Sequence, residues 1–264
     1  MARSIPNSRV AAREGMFEST LPFGQPELMR ASAFRRYLDE SARSGEADSM
    51  ASRLSTLSPS LMLDLMRFEH EGQQSGVIEI LAACIRHARK LLLHLQAGER
   101  VLPLTVFPVE HLVHCPMPIE QFLALPLVDL SVLYVEPALL RPPGDRVQAM
   151  VGKAEHYSAL GPVLWELALR GARGELLPEI AGQAAYRISP GLNLRTLEMH
   201  GTLADAVTRL KRETTSLREM AQWPGFDRER AMRLLNGLYL QAGLMVSRTH
   251  PAATNEGWSR VRPL

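Results

Sequence analysis

Two cysteines, three lysines and the lack of any long apolar run each remove a class of protein. Cys84 and Cys115 are too few for the disulfide framework of a small secreted domain. No stretch holds the roughly 18 consecutive apolar residues that a transmembrane helix needs. The opening Met-Ala-Arg-Ser-Ile-Pro-Asn-Ser-Arg lacks the apolar core of a signal peptide. A soluble, cytoplasmic chain without membrane insertion is therefore expected. Charge of one sign is missing as well. The 30 basic residues face 28 acidic ones, a net charge of +2, so there is no global electrostatic footprint for nucleic acid. Nor does the chain hold a Gly-rich phosphate loop, a Gly-x-Ser-x-Gly elbow, a His-Glu-x-x-His helix or a paired-acid motif. The expectation is no catalysis, no cofactor and no metal.

What is there is apolar periodicity. At 264 residues and 46% hydrophobic, the chain can bury the cores of two modest domains. The best-marked stretch is Thr202 to Arg248. Thr202-Leu-Ala-Asp205 and Ser216-Leu-Arg-Glu219 both read Ser/Thr-x-x-acid, the pattern of a capping box. Trp223-Pro-Gly-Phe-Asp227 is a turn in which Pro fixes φ, Gly allows a positive φ and Asp227 caps the next helix. That helix is predicted to bury Ala231, Leu234, Leu235, Leu238 and Ala242, with Gly243 as the left-handed residue that ends it. Leu244-Met-Val246 reads as a short strand. Helix, helix, tight turn, helix, strand is the order of a winged-helix or helix-turn-helix module.

Residues 1–25 are polar and aperiodic and read as a flexible arm. Helical spacing follows from Pro26, with Leu28, Ala31, Phe34 and Leu38 on one stripe, then over Pro59 to Glu69 and Val77 to Arg89, with linkers between. Leu91 to Gln96, the turn Ala97-Gly98-Glu99 and Arg100 to Phe107 form a hairpin, with Leu93 and Leu104 on its buried face. Pro103 demotes the second strand to an edge or a bulge. Extended segments over 110–115 and 130–135 flank a short helix from Pro118. Arg141-Pro-Pro-Gly-Asp145 looks like a domain boundary. Helix is predicted over Val147 to Arg170 and Glu175 to Ala181, and a strand over Ala185 to Ile188. The fold class expected is α+β: a mixed helix and antiparallel-hairpin domain (26–140), a helical connector (147–182), a winged-helix-like domain (185–249) and a tail (250–264).

Three clusters are candidates for function. His111-Leu-Val-His114-Cys115 holds zinc-ligand types, but residues three apart on a strand point to opposite faces. A partly buried strand is the plainer reading. Cys84 and His87 stand at i, i+3 on a helix and could pair as thiolate and base, whereas a buried free Cys is the common case. The helix 228–242 carries Arg228, Arg230, Arg233 and Asn236, types that read base edges. Yet its outward side also holds Met232, Tyr239 and Leu240, and an exposed apolar stripe marks a protein contact. Met232, Arg233, Asn236, Tyr239 and Leu240 are the expected partner-binding residues. Packing of this face on the preceding domain is the competing reading.

Ile78 to His114, a helix followed by Leu-rich strands around Gly98 and ending Glu110-His-Leu-Val-His114, resembles the PATAN-type domain of bacterial signalling proteins. Ser216-Leu-Arg-Glu-Met-Ala221 and Leu234 to Leu244 are similar to the helical, winged-helix-like end such proteins carry. Phe107-Pro108 stands where the family has glycine and acidic residues, and the receiver domain often attached is not expected here. The resemblance implies a non-catalytic adaptor in signalling or surface motility, binding a protein partner. A DNA-binding regulator using helix 228–242 is the alternative, and a metal or cysteine-dependent enzyme a distant third.

Overall fold

The computed structural model describes residues 28–43, 58–69 and 76–253. The expected arm over 1–25, the linkers over 45–55 and 71–75, and residues 254–264 of the tail lie outside them. Among the described residues the class is α+β. There are eight helices: α1 Ala31–Arg43, α2 Pro59–Glu69, α3 Val77–Arg86, α4 Ile119–Leu123, α5 Leu160–Arg170, α6 Thr202–Arg212, α7 Leu217–Met220 and α8 Arg228–Leu240. Eight strands accompany them: β1 Leu91–Ala97, β2 Arg100–Phe107, β3 Leu112–His114, β4 Ser131–Pro137, β5 Tyr157–Ala159, β6 Ala185–Ile188, β7 Thr215–Ser216 and β8 Leu244–Ser247.

Five strands form one antiparallel sheet in the order β4-β1-β2-β3-β5. Opposite residues of a ladder share a face, and the pairs Leu91–Val106, Leu93–Leu104 and Leu95–Leu102 put six apolar side chains on one side. All six are buried, so the register is held by what a one-residue slip would expose. Gly98, at φ +59°, and Glu99 close the hairpin as a two-residue turn, one shorter than expected. On the other face Phe34 of α1 stacks on His94, with ring centroids 4.7 Å apart, and packs with Ala31 on Val101.

Pro103 lies inside the sheet order, yet its missing N–H costs no ladder bond. The Val101 N–H points away from β1, donating to the Met29 carbonyl at 2.8 Å, and the Pro103 nitrogen two residues on points the same way. There it meets the gap between residues 29–31, which pair near Arg100, and β3, whose pairing starts at Thr105.

The expected boundary at Arg141 to Asp145 does not interrupt the sheet. Residues 147–159, predicted as helix, instead make two single 3-10 turns and then β5, which pairs with β3. Helix begins at Leu160. Residues 175–181 are not helical either. They form a segment without secondary structure in which Leu176, Leu177 and Ile180 are buried. One hydrophobic cluster runs from Leu61 in α2 to Leu240 in α8.

In the C-terminal part β7, β6 and β8 form a three-stranded antiparallel sheet with β6 in the middle. The Ser216–Glu219 capping box forms in full, and Asp227 caps α8 through the Arg230 N–H at 2.7 Å. Trp223 to Phe226 is a type II turn, with Gly225 at φ +72° and the Phe226 N–H on the Trp223 carbonyl. Thr202 makes no cap. The chain enters α6 through Gly201 at φ +55°, and the Thr202 methyl packs against Gly225.

Two helix ends depart from expectation in the same way. At the end of α8 the left-handed residue is Ala242, φ +53°, not Gly243. The Gly243 N–H bonds the Leu238 carbonyl and the Ala242 N–H that of Tyr239, a Schellman closure. Helix α3 stops before the predicted Arg89 by the same device, with Ala88 at φ +49° and bonds from Arg89 to Cys84 and from Ala88 to Ile85. Gly243 is needed for space, since a Cβ there would fall inside the Leu192 side chain. We therefore predict that Ala88→Gly and Ala242→Gly each stabilise by about 0.5–1 kcal/mol, because glycine removes left-handed strain. Gly243→Ala should destabilise by about 1–3 kcal/mol through overpacking. Urea denaturation of the three variants checks this. A more stable Gly243→Ala variant would overturn the assignment of the two roles.

Candidate functional site

The face of α8 expected to meet a partner is turned largely inward. Asn236 is 1% exposed; its Oδ1 accepts the Leu177 N–H at 2.9 Å and its amide donates to the Glu175 carbonyl at 2.8 Å. Arg233 donates to the carbonyls of Leu169 and Gly171 at the C-terminal end of α5, and to Glu229. A guanidinium there satisfies carbonyls that the helix leaves open and complements its dipole. Leu240 is 4% exposed. Met232 and Tyr239 are half-buried against the core. Burial, with Glu179 close by, raises the Tyr239 pKa. Asn236 and Leu240 are thus interior residues rather than surface ones, and Arg233 and Asn236 are engaged with backbone they would have to release before reading a base edge.

Helix α8 sits this close to α5 because of Gly237. A Cβ there would lie 3.0 Å from Trp165 Cε3, so any larger residue would push the two helices apart. Trp165 itself is buried, with its Nε1–H directed at the Glu198 carbonyl at 3.4 Å.

The pairing of Cys84 with His87 does not form. The Cys84 thiol donates to the Arg89 carbonyl at 2.8 Å, and burial pushes its pKa up to about 12. His87 contacts Asp64 Oδ2 at 2.7 Å instead. A thiol so placed is not a nucleophile at neutral pH. The His-Cys cluster is dispersed as well. His111 is an exposed turn residue at φ +55°, Cys115 is buried, and His114 lies on β3 against the rings of His156 and Tyr157. Among the described residues no group of three or more His, Cys, Asp or Glu is placed to hold a metal ion.

Trp165 also lines an open groove of about 420 Å³. Its walls are α4, the face of α5 carrying Pro162, Glu166 and Arg170, and the segment Thr196 to Glu198. Leu123, Ala124, Pro162 and Leu197 supply the apolar surface. Arg170 ties two walls together, donating to the Leu123 carbonyl at 3.0 Å and to Glu166 at 3.1 Å. Sequence reasoning missed this groove. Its residues come from three separated segments, one of them irregular, and none belongs to a recognisable motif.

No family model, curated protein or solved structure matches the chain. Among the described residues no helix is long and apolar enough to cross a membrane.

Two outcomes follow from these placements. Asn236→Ala leaves the buried Leu177 N–H without its acceptor, while the Glu175 carbonyl keeps Arg173, so it should destabilise the protein by about 1–3 kcal/mol, measured by chemical denaturation. A change under about 0.5 kcal/mol would mean that the side chain does not hold the 175–177 backbone. His114 gives a pH signature. Burial, reinforced by His156, lowers its pKa from 6.5 to about 4. The unfolded chain then takes up a proton that the folded one refuses, so stability is full above about pH 6.5 and falls progressively towards pH 4. In His114→Gln this part of the pH dependence should vanish, which denaturant melts at pH 7.5 and pH 4.5 would show.

Proposed function

We propose that this chain is a non-catalytic, cytoplasmic adaptor that binds a protein partner in the groove between α4, α5 and residues 196–198. The observation that carries the reading is the groove itself. It is an open cleft of about 420 Å³ in which apolar residues and charged groups line one surface, as a site for the anchor side chains of a peptide requires. It is built on α5, which packs against both α3 and α8, so its walls are fixed by the core, as a recognition site requires.

The resemblance to PATAN-type proteins supports the same reading. Helix α3, the β1–β2 hairpin and β3 follow one another over Val77–His114 in the order that the resemblance implies. On this basis the partner belongs to a bacterial signalling or motility system. Thr202–Ser247 serves in this reading as a winged-helix-like buttress: Arg233, Asn236 and Leu240 hold α8 against the rest of the chain instead of meeting the partner.

A selection of random displayed peptides against the purified full chain tests this, with Ala124→Trp as the blocking variant. Ala124 is exposed at the rim, so the bulkier side chain fills the groove with little effect on the fold. Selected peptides should bind the parent chain and lose at least about tenfold in affinity for the variant, roughly 1.4 kcal/mol. Peptides that bind both proteins equally, or a selection that enriches nothing, would sink the proposal.

A further inference from the structure

Charge decides what kind of segment the groove takes. Three carboxylates line it, those of Glu120, Glu166 and Glu198, against the single guanidinium of Arg170. Arg170 is already engaged by Glu166 and by the Leu123 carbonyl, and its pairing leaves Glu166 with one oxygen committed. Glu120 and Glu198 are both exposed and both line the groove, one on α4 and the other beside Leu197. The net charge of the lining is −2, on a chain whose whole charge is +2. The negative potential is therefore local to the groove, and a concave wall of low dielectric strengthens it there.

The same lining holds apolar surface from Leu123, Ala124, Pro162 and Leu197. A small anion would be repelled from such a site. A purely apolar segment would bury the carboxylates without compensation, which is costly. A bare polyamine would leave the apolar floor wet.

We infer that the groove recognises a basic peptide segment of a partner protein, in which an apolar side chain is flanked by Arg or Lys. The apolar residue sits on Leu123, Pro162 and Leu197. The flanking cations meet Glu120 on α4 and Glu198 beside Leu197. Arginine fits better than lysine, because a planar guanidinium engages a carboxylate through two parallel hydrogen bonds. This assignment rests on the groove being the docking site and adds the chemistry of its occupant. Among segments of this chain, Trp258-Ser-Arg-Val-Arg-Pro-Leu264 has the same composition, which makes it the competitor to test.

The experiment uses fluorescence anisotropy on the full chain with two short labelled peptides, one alternating Leu and Arg and the other alternating Leu and Glu. The Arg probe should bind and the Glu probe should not. Glu120→Gln combined with Glu198→Gln should weaken the Arg probe about three- to tenfold, the scale expected for two exposed charge pairs. Raising salt from about 50 to 500 mM should weaken it similarly, through screening. Thermal melting of the double variant, changed at two exposed positions, should match that of the parent.

Equal binding of both probes, or an Arg probe indifferent to the double variant, overturns the charge assignment. Binding of the Arg probe only after removal of residues 255–264 would keep the charge assignment but give the groove to the chain's own tail, overturning a partner protein as its occupant. If neither probe binds while displayed peptides still lose affinity for Ala124→Trp, the groove remains a docking site and the cationic occupant is wrong. If the displayed peptides ignore Ala124→Trp, the docking reading itself has failed.

Discussion

The structure depends on the backbone of residues 169–184. After the last turn of α5, residues 171–184 run to β6 without helix or strand, with Gly171, Leu176, Leu177, Ile180 and Ala184 buried. Buried peptide groups need partners, and no regular ladder supplies them here. Side chains do it instead. Asn236 takes one N–H and one carbonyl, and Arg233 takes the carbonyls of Leu169 and Gly171. Arg173 folds back on Glu175 and Leu176 while paired with Glu79. The Tyr186 hydroxyl donates to Ile180 at 2.7 Å, and Arg248 donates to Glu179, Ala181 and Gln183. Donors thus converge from α8, β6 and the segment after β8, and they lock the C-terminal sheet and helices to the rest of the chain.

That lock explains why the polar residues of α8 do not form a recognition face. Arg and Asn on one side of an exposed helix would be the mark of a base reader. The same two residue types are also the most economical carbonyl and peptide clamps, because an amide both donates and accepts and a guanidinium has five fixed donors. The two uses look identical in a sequence. What separates them is whether a stretch of unpaired backbone lies opposite, and that is a property of the fold. Here the close crossing at Gly237 and Trp165 brings α8 up to such a stretch.

Much of the architecture was legible where local chemistry and tertiary demand agree. Alternation in Leu91–Ala97 and Arg100–Phe107 placed Leu93 and Leu104 inside, and both are buried. Ser216, Asp227 and the Pro224–Gly225 turn behave as their types dictate. Elsewhere tertiary structure overrode local preference. Alanine, the best helix former, ends two helices in the left-handed conformation, so α3 stops short of the expected Arg89 and the left-handed residue of α8 stands one position before the expected Gly243. Gly243 was read as a conformational residue and proved a steric one. Tyr157–Ala159 became a strand because the free side of β3 was available to pair with it, although Val147 to Arg170 has helical spacing. The groove was invisible for a related reason: Glu120, Pro162 and Leu197 are neighbours only after three segments have packed.

The scarcity of lysine gains a physical meaning from these contacts. Of the 30 basic residues only Lys90, Lys153 and Lys211 are lysine, and in a sequence that bias says nothing about function. In the structure, Arg170, Arg173, Arg230, Arg233 and Arg248 all donate to backbone carbonyls. Arg233 and Arg248 each reach at least two carbonyls at once. A lysine ammonium is a compact, strongly hydrated charge at the end of a flexible stem, while the guanidinium presents its donors in a rigid plane. Replacing Arg173, Arg233 or Arg248 by Lys would keep the charge and lose the second bond, leaving a partly buried carbonyl without a donor. The irregular segment is tolerable in the core because its clamps are arginines. The groove built on α5 inherits its shape from the same clamps, since Arg233 fixes the end of the helix whose other face carries Pro162, Glu166 and Arg170.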